Sequence, residues 1–238
     1  MTENSLANRR IALTGISRGI GFEIARSFLA QGAELVGIAK DPERLAQARQ
    51  KLDPAGSRLS VVAADVTDAS ALPRIIEAVT KRWGALDILF NNAGVQIDGA
   101  ASGFVDGSEQ VVERSLAVNL MGPYRLCLGL LPLLLEGREP RIVNVSSGAG
   151  TFAAMRDRHI ASYRLSKWAL NGFTLLLASE LQGKVSVNAF DPGWVKTDLG
   201  GPNAPGSVVE SAVGALALAT LPFTETGKFW KDGKEIPF

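Results

Sequence analysis

The 238-residue sequence predicts a doubly wound α/β fold: one domain over residues 1–238, with a parallel sheet of about seven strands flanked by helices. Three observations carry this. Short apolar runs rich in β-branched residues recur along the chain, segments of helical period separate them, and the first run leads into a glycine-rich turn and then a helix. Runs nearly free of internal charge suit strands buried on both faces, and the intervals between them are long enough for crossover helices.

Taken in order, strands are expected at Arg10–Thr14, Glu34–Ala39, Arg58–Ala64, Leu86–Phe90, Arg141–Val145 and Lys184–Phe190, with a last one inside the ending TGKFWKDGKEIPF. The segment FEIARSFLAQG after the first turn repeats its apolar residues near every 3.6 positions, as a helix packed on a sheet requires. No linker divides the chain. The one Pro/Gly/Ser-rich stretch, Gly200–Ser207, is short and late and reads as a loop within the domain. In such folds ligands bind beyond the carboxyl ends of the strands, so residues that follow strands carry the functional argument.

Composition narrows the classes. With 46% hydrophobic and 21% charged residues the chain is neither disordered nor fibrous. A net charge of +1, with no basic tract interleaved with aromatics, argues against nucleic acid as a partner. The single cysteine, Cys127, allows no intramolecular disulfide, and a reducing cytoplasm is the simplest location. The apolar stretch Leu126–Leu135 contains Pro132 and falls short of the roughly 20 residues of a membrane span. The start, MTENSLANRR, lacks the apolar core of a secretion signal. His159 is the only histidine, and no metal-ligand cluster surrounds it. A small molecule is the expected partner.

Gly15-Ile16-Ser17-Arg18-Gly19-Ile20-Gly21 reads as a phosphate cradle: glycines let the backbone approach a pyrophosphate, and the following helix offers free N–H groups and its positive end. Thr14–Gly21 fits the pattern T-G-x-x-x-G-x-G. Further on come Asn91-Asn92-Ala93-Gly94, Asn119, Ser146-Ser147, Tyr163-Arg164-Leu165-Ser166-Lys167 and Pro192-Gly193-Trp194-Val195-Lys196-Thr197. In this order they resemble the short-chain dehydrogenase/reductase family, in its short, single-domain, carbonyl-reductase-like branch, over nearly the whole chain. The resemblance implies a Rossmann-type fold and hydride exchange between a nicotinamide dinucleotide and a carbonyl or alcohol. It further implies cofactor contacts from Gly15, Ser17, Arg18, Gly19, Ile20 and Gly21, from Lys40, Asp65, Val66, Asn91, Ala93 and Gly94, and from Tyr163, Lys167, Pro192, Gly193, Val195 and Thr197.

An NAD site usually ends its second strand in Asp or Glu, which holds the ribose hydroxyls. Here that position is Ala39; Lys40 follows it, and Ser17 and Arg18 lie in the glycine turn, a set suited to the 2′-phosphate of NADP(H). Asp41 keeps NAD(H) open as the alternative, since it could hold a ribose instead. Asp65 has a competing reading as a helix cap.

Tyr163 and Lys167 are four residues apart and share one helix face. An ammonium about 4 Å from a phenol contributes about 4 kcal/mol at an effective dielectric near 20, an upper figure of about three pKa units toward phenolate. The resemblance makes Tyr163 the acid/base, gives Lys167 a hydrogen bond to the nicotinamide ribose, lets Ser147 hold the substrate oxygen, and has Asn119 anchor a water leading to Lys167. Between Ser147 and Tyr163 the chain is a few residues longer than is usual for the family. The extra length is expected to bulge over the pocket and leaves open whether Ser146 or Ser147 faces the substrate.

The loop 194–207 is expected to act as a lid. Trp194, Phe152 and Met155 are candidates for an apolar pocket, with a core role equally open, and the implied reaction is NADPH-dependent reduction of a small or medium ketone or aldehyde. Helices expected at Glu109–Leu135 and Tyr163–Leu181 would serve a homodimer or homotetramer, as in many family members. The alternative from another class is a catalytically silent NADP(H)-binding sensor or scaffold of the same fold.

Overall fold

The computed structural model describes residues 4–99 and 103–238. In chain order the elements are β1 (Arg10–Thr14), α1 (Gly19–Ala30), β2 (Glu34–Ala39), α2 (Pro42–Leu52), β3 (Leu59–Ala63), α3 (Leu72–Trp83) and β4 (Ile88–Asn91). Then follow α4 (Glu109–Leu116), a π-helical turn (Ala117–Met121), α5 (Gly122–Leu135), β5 (Arg141–Val145), α6 (Ala161–Glu180), β6 (Ser186–Phe190), α7 (Val208–Ala219), β7 (Phe229–Lys231) and β8 (Lys234–Ile236). They build one sheet in the order β3-β2-β1-β4-β5-β6-β7-β8, parallel through β7 and antiparallel at β8.

The alternation of side chains across each strand explains the layers. In β1, Ile11 and Leu13 face the cluster formed with α1 and α7, while Ala12 faces the cluster formed with α3, α5 and α6; Ile88 and Phe90 against Leu89 repeat this in β4. Each face therefore buries an apolar set, as the uncharged runs require. Three strands are shorter than the apolar runs that announce them. Lys184 and Val185 are turn residues whose N–H groups go to the carbonyl of Leu181, and Leu86 donates to Leu133, so hydrophobicity there marks burial and not pairing. The ending holds two short strands where one was expected. Asp232 and Gly233 both sit at positive φ, the primed turn that closes a two-residue hairpin.

The helical run 109–135 is continuous in path but not in hydrogen bonding. Pro123 has no N–H to return to the carbonyl of Asn119, and the chain takes a π turn over those residues. By length and composition this 27-residue run could cross a membrane, which the ten-residue stretch considered in the sequence could not. In the fold Leu126, Cys127, Leu130 and Leu134 from it are core residues under the sheet. The strand order reverses between β1 and β4, and beyond their carboxyl ends the loops part into a cleft.

Candidate active site

The cleft has a volume of about 900 Å³ and runs from the glycine turn to the N-terminus of α6. Its floor is knitted at the switch point. The Thr14 hydroxyl accepts from the backbone N–H groups of Asn92 and Ala93, both at 2.9 Å, and the Asn92 amide donates to the Thr14 carbonyl at 2.9 Å. Gly15 takes φ +77°, and a Cβ on Gly21 would overlap the Gly15 carbonyl, so the turn can close only with glycine at both positions. Arg18, the residue before α1, is extended and provides no side-chain cap, which leaves the first-turn N–H groups of Gly19, Ile20 and Gly21 at the cleft wall. Donors without a side-chain acceptor and a backbone stripped of side chains fit a pyrophosphate.

At the adenosine end, Ser17, Arg18, Lys40, Asp65 and Val66 all line the cleft. Asp41 is not among the residues lining the cleft: its carboxylate caps α2, accepting from the N–H groups of Glu43 and Arg44, and pairs with the Arg44 guanidinium at 3.3 Å. Arg18 pairs with Asp198 of the loop after β6. Asp65 caps no helix; it accepts from the backbone and hydroxyl of Thr67 and from Arg114, and these contacts hold its carboxyl below the usual range against the upward push of burial.

Asn91 requires a correction. It is the last residue of β4, pointing into the protein, where its amide donates to the Asn144 carbonyl oxygen at 2.9 Å; Asn92, Ala93 and Gly94 form the wall instead.

At the other end the helix spacing brings Tyr163 and Lys167 to one face, with Ser147 opposite. The Lys167 ammonium lies 5.8 Å from the centre of the Tyr163 ring and donates to the carbonyl of Val145 at 2.7 Å. The electrostatic outcome differs from the sequence argument. Burial pushes the Tyr163 phenol up to about 12, with the nearby Asp191 carboxylate adding to the rise and the Ser147 hydroxyl opposing it. Burial likewise brings Lys167 down to about 8, partly offset by Asp191. The lysine does not draw the phenol toward neutral pH. The phenol's shift is upward, away from the phenolate.

Both serines line the cleft; the Ser147 hydroxyl accepts from the Ala149 N–H at 3.1 Å on the side of the phenol, whereas Ser146 is buried and its hydroxyl reaches back to the Lys167 carbonyl at 3.4 Å. Asn119 sits behind the cleft wall. Both of its amide protons are used, by the carbonyl of Val95 at 2.8 Å and the hydroxyl of Ser166 at 2.9 Å, and its oxygen accepts from the Val95 N–H at 2.8 Å. Pro192, Gly193, Val195 and Thr197 line the cleft.

Other expectations are corrected. Between Ser147 and Tyr163 only Gly148, Ala149 and Ile160 reach the cleft, because 152–159 is turned outward by short 3-10 turns and by Asp157, which binds Arg164 and His159. Phe152, 67% exposed, and Met155 therefore lie outside the cleft wall, while Trp194, 60% exposed, stands at its rim and donates to the Gly200 carbonyl at 2.7 Å. The 194–207 loop is closed on itself, with Lys196 and Gly206 exchanging backbone bonds with the partner stretch.

The sequence reading missed two groups. Asp191 is buried beside the Tyr163–Lys167 pair, accepts from the Gly193 N–H, and pairs at 3.2 Å with Lys231 of β7, also at the cleft. Arg114 reaches the adenosine end from α4. Asp191 had a visible signal, an acid directly before Pro192-Gly193; its pairing with Lys231 needed the fold.

Comparison with known proteins agrees with this layout. A family model described as short chain dehydrogenase matches residues 9–206. The chain is 29% identical to (+)-neomenthol dehydrogenase of Arabidopsis thaliana, with 92% of this chain and 93% of that protein aligned. It is 34% identical to oxidoreductase UcpA of Salmonella typhimurium, over 91% and 83% of the two chains. Among solved structures it resembles NADPH-bound carbonyl reductase from chicken fatty liver, with a TM-score of 0.89, 29% identity, and coverage of 98% of this chain and 100% of that one.

Proposed function

Because the chain belongs to the short chain dehydrogenase family, we propose that it reduces a small or medium apolar ketone or aldehyde with NADPH, Tyr163 supplying the proton. The observation that carries the reading is the meeting of Tyr163, Lys167 and Ser147 at one end of a dinucleotide-sized cleft. NADPH, when bound, would supply the hydride for the carbonyl carbon. The residues do the rest. Ser147 donates a hydrogen bond to the carbonyl oxygen and steadies the charge that develops there. Tyr163 then passes its phenolic proton to that oxygen, and the Lys167 ammonium and the Ser147 hydroxyl stabilise the phenolate left behind until a proton returns from water. The Lys167 ammonium would also bind the nicotinamide ribose, and Asn119 supports the site from behind.

The choice of NADP(H) is supported by Ala39 at the end of β2, by Lys40 and Arg18 at the cleft, by the engagement of Asp41 in capping α2, and by the likeness to an NADPH-bound carbonyl reductase. The exposed Tyr124, Leu128, Trp168 and Leu176 on α5 and α6 support a homodimer or homotetramer through these helices.

Following NADPH absorbance over a panel of ketones and aldehydes tests the activity. Tyr163→Phe is expected to lower turnover by orders of magnitude with NADPH binding intact. Turnover near the wild-type value would refute the assignment of the acid, and tight NADPH binding without turnover of any carbonyl would replace the reductase by a silent sensor.

A further inference from the structure

We propose that Asp98, on the loop after β4, is a positioning residue that sets the place of Tyr163 through the first turn of α6; the proposal rests on the reading of Tyr163 as the proton donor. Helix α6 starts without a local cap. Ile160 precedes it at φ +48°, a conformation costly for a β-branched residue, and provides no side-chain acceptor. The free N–H groups of the first turn are met from a distant segment. One carboxylate oxygen of Asp98 accepts from Ser162 at 2.7 Å and from Tyr163 itself at 3.3 Å. A carboxylate there also complements the positive end of the helix. Asp98 is only 7% exposed, and its other oxygen finds no partner among the described residues, so the side-chain hydrogen bonds it accepts there all come from α6.

The loop bearing Asp98 is itself held. The side chain of Gln96 donates to the Asp98 carbonyl at 2.7 Å, and Val95 is clamped through both backbone groups by Asn119. Asn119 also binds the Ser166 hydroxyl, which donates to the Tyr163 carbonyl at 2.7 Å. The peptide of Tyr163 is thus gripped on both sides, its N–H by Asp98 and its carbonyl by the Ser166–Asn119 pair. Both grips lead back to residues 95–98. The phenol inherits its distance from Ser147 and from the cleft floor through this bracket, and misplacement of a reacting group by about 1 Å can cost on the order of 100-fold in rate.

The test compares Asp98→Ala with Asp98→Asn, whose amide oxygen can still accept from Ser162 and Tyr163. Amide hydrogen exchange over residues 161–167 reads the cap without any turnover, NADPH titration reads the cofactor site, and steady-state kinetics separates kcat from KM. Asp98→Ala is expected to exchange faster in that segment and to lose about 10- to 100-fold in kcat, with the NADPH dissociation constant within about twofold of wild type. Asp98→Asn should restore most of both. Unchanged exchange, or a full kcat despite faster exchange, overturns the positioning role while the reductase reading stands. Should Asp98→Ala fail to fold, the Asn variant decides alone, since a large kcat loss with wild-type exchange there overturns the role of the cap. Wild-type protein that binds NADPH and turns over no carbonyl sinks the reductase reading and this role with it.

Discussion

Lys167 is the residue where structure and chemistry pull apart most. Its ammonium is buried and brought to about 8 from an ordinary value of 10.5. The unfolded chain keeps this proton up to about 10.5 and the folded chain only up to about 8, so stability rises with pH between those values and the full penalty stands below 8. Lys167→Met should therefore stabilise the protein by about 2 kcal/mol at pH 7, the lost bond to Val145 offsetting part of the gain, while abolishing turnover. Urea unfolding at pH 7 and pH 10 checks this; a destabilised variant at pH 7 would contradict it. Arg18 offers a second test. On the proposed NADP(H) site Arg18 trades its pair with Asp198 for a 2′-phosphate, and exposed pairs of this kind are worth up to about 1 kcal/mol. Asp198→Asn should tighten NADPH binding by up to about fivefold without changing NADH binding, as titration would show. The types of these residues were legible in the sequence; that Arg18 starts out paired and Asp41 is occupied by α2 was not, because both depend on the far ends of flexible side chains.

Among the elements, β4 depends on a residue just ahead of it. Asp87 is fully buried and accepts from the N–H and guanidinium of Arg10 and the N–H of Arg138, tying β1 to the turn after α5. Burial pushes its carboxyl up, but the Arg10 guanidinium and these backbone donors outweigh it and bring it to about 2 from 3.8. Its contribution is present above 3.8 and lost as pH falls through about 2. Asp87→Asn should cost about 2 kcal/mol at pH 7 and flatten the acid limb of the stability curve, measured by denaturant unfolding from pH 7 to pH 2; an unchanged acid limb would sink the account. Element type was readable from period and composition, as the runs at Arg10–Thr14 and Arg141–Val145 show by matching residue for residue. Ends were less readable where apolar residues serve a turn, as at Val185. The π turn at Asn119 escaped as well, since a single widened turn leaves the 3.6-residue pattern on either side intact.

For the molecule as a whole, the cleft joins loops from both halves of the sheet, so a dinucleotide lying in it would bridge them. A ligand at 100 times its dissociation constant adds about 2.7 kcal/mol, and in a chain of this size that raises the melting temperature by roughly 5–10 °C. NADPH should do so at concentrations where NADH gives a smaller shift; thermal unfolding with each dinucleotide checks the order, and a larger shift with NADH would remove the preference. The sequence by itself determined the α/β class, the glycine turn and the placing of Tyr163 and Lys167 on one helix face, because strand alternation, glycine backbone freedom and helix spacing are local properties. Tertiary structure alone decided that Asn91 turns away from the cleft, that Asp191 meets Lys231, that Asp98 caps α6 and that burial moves the phenol's pKa up, not down. Those outcomes depend on desolvation and on contacts between residues far apart in the chain, which no local pattern records.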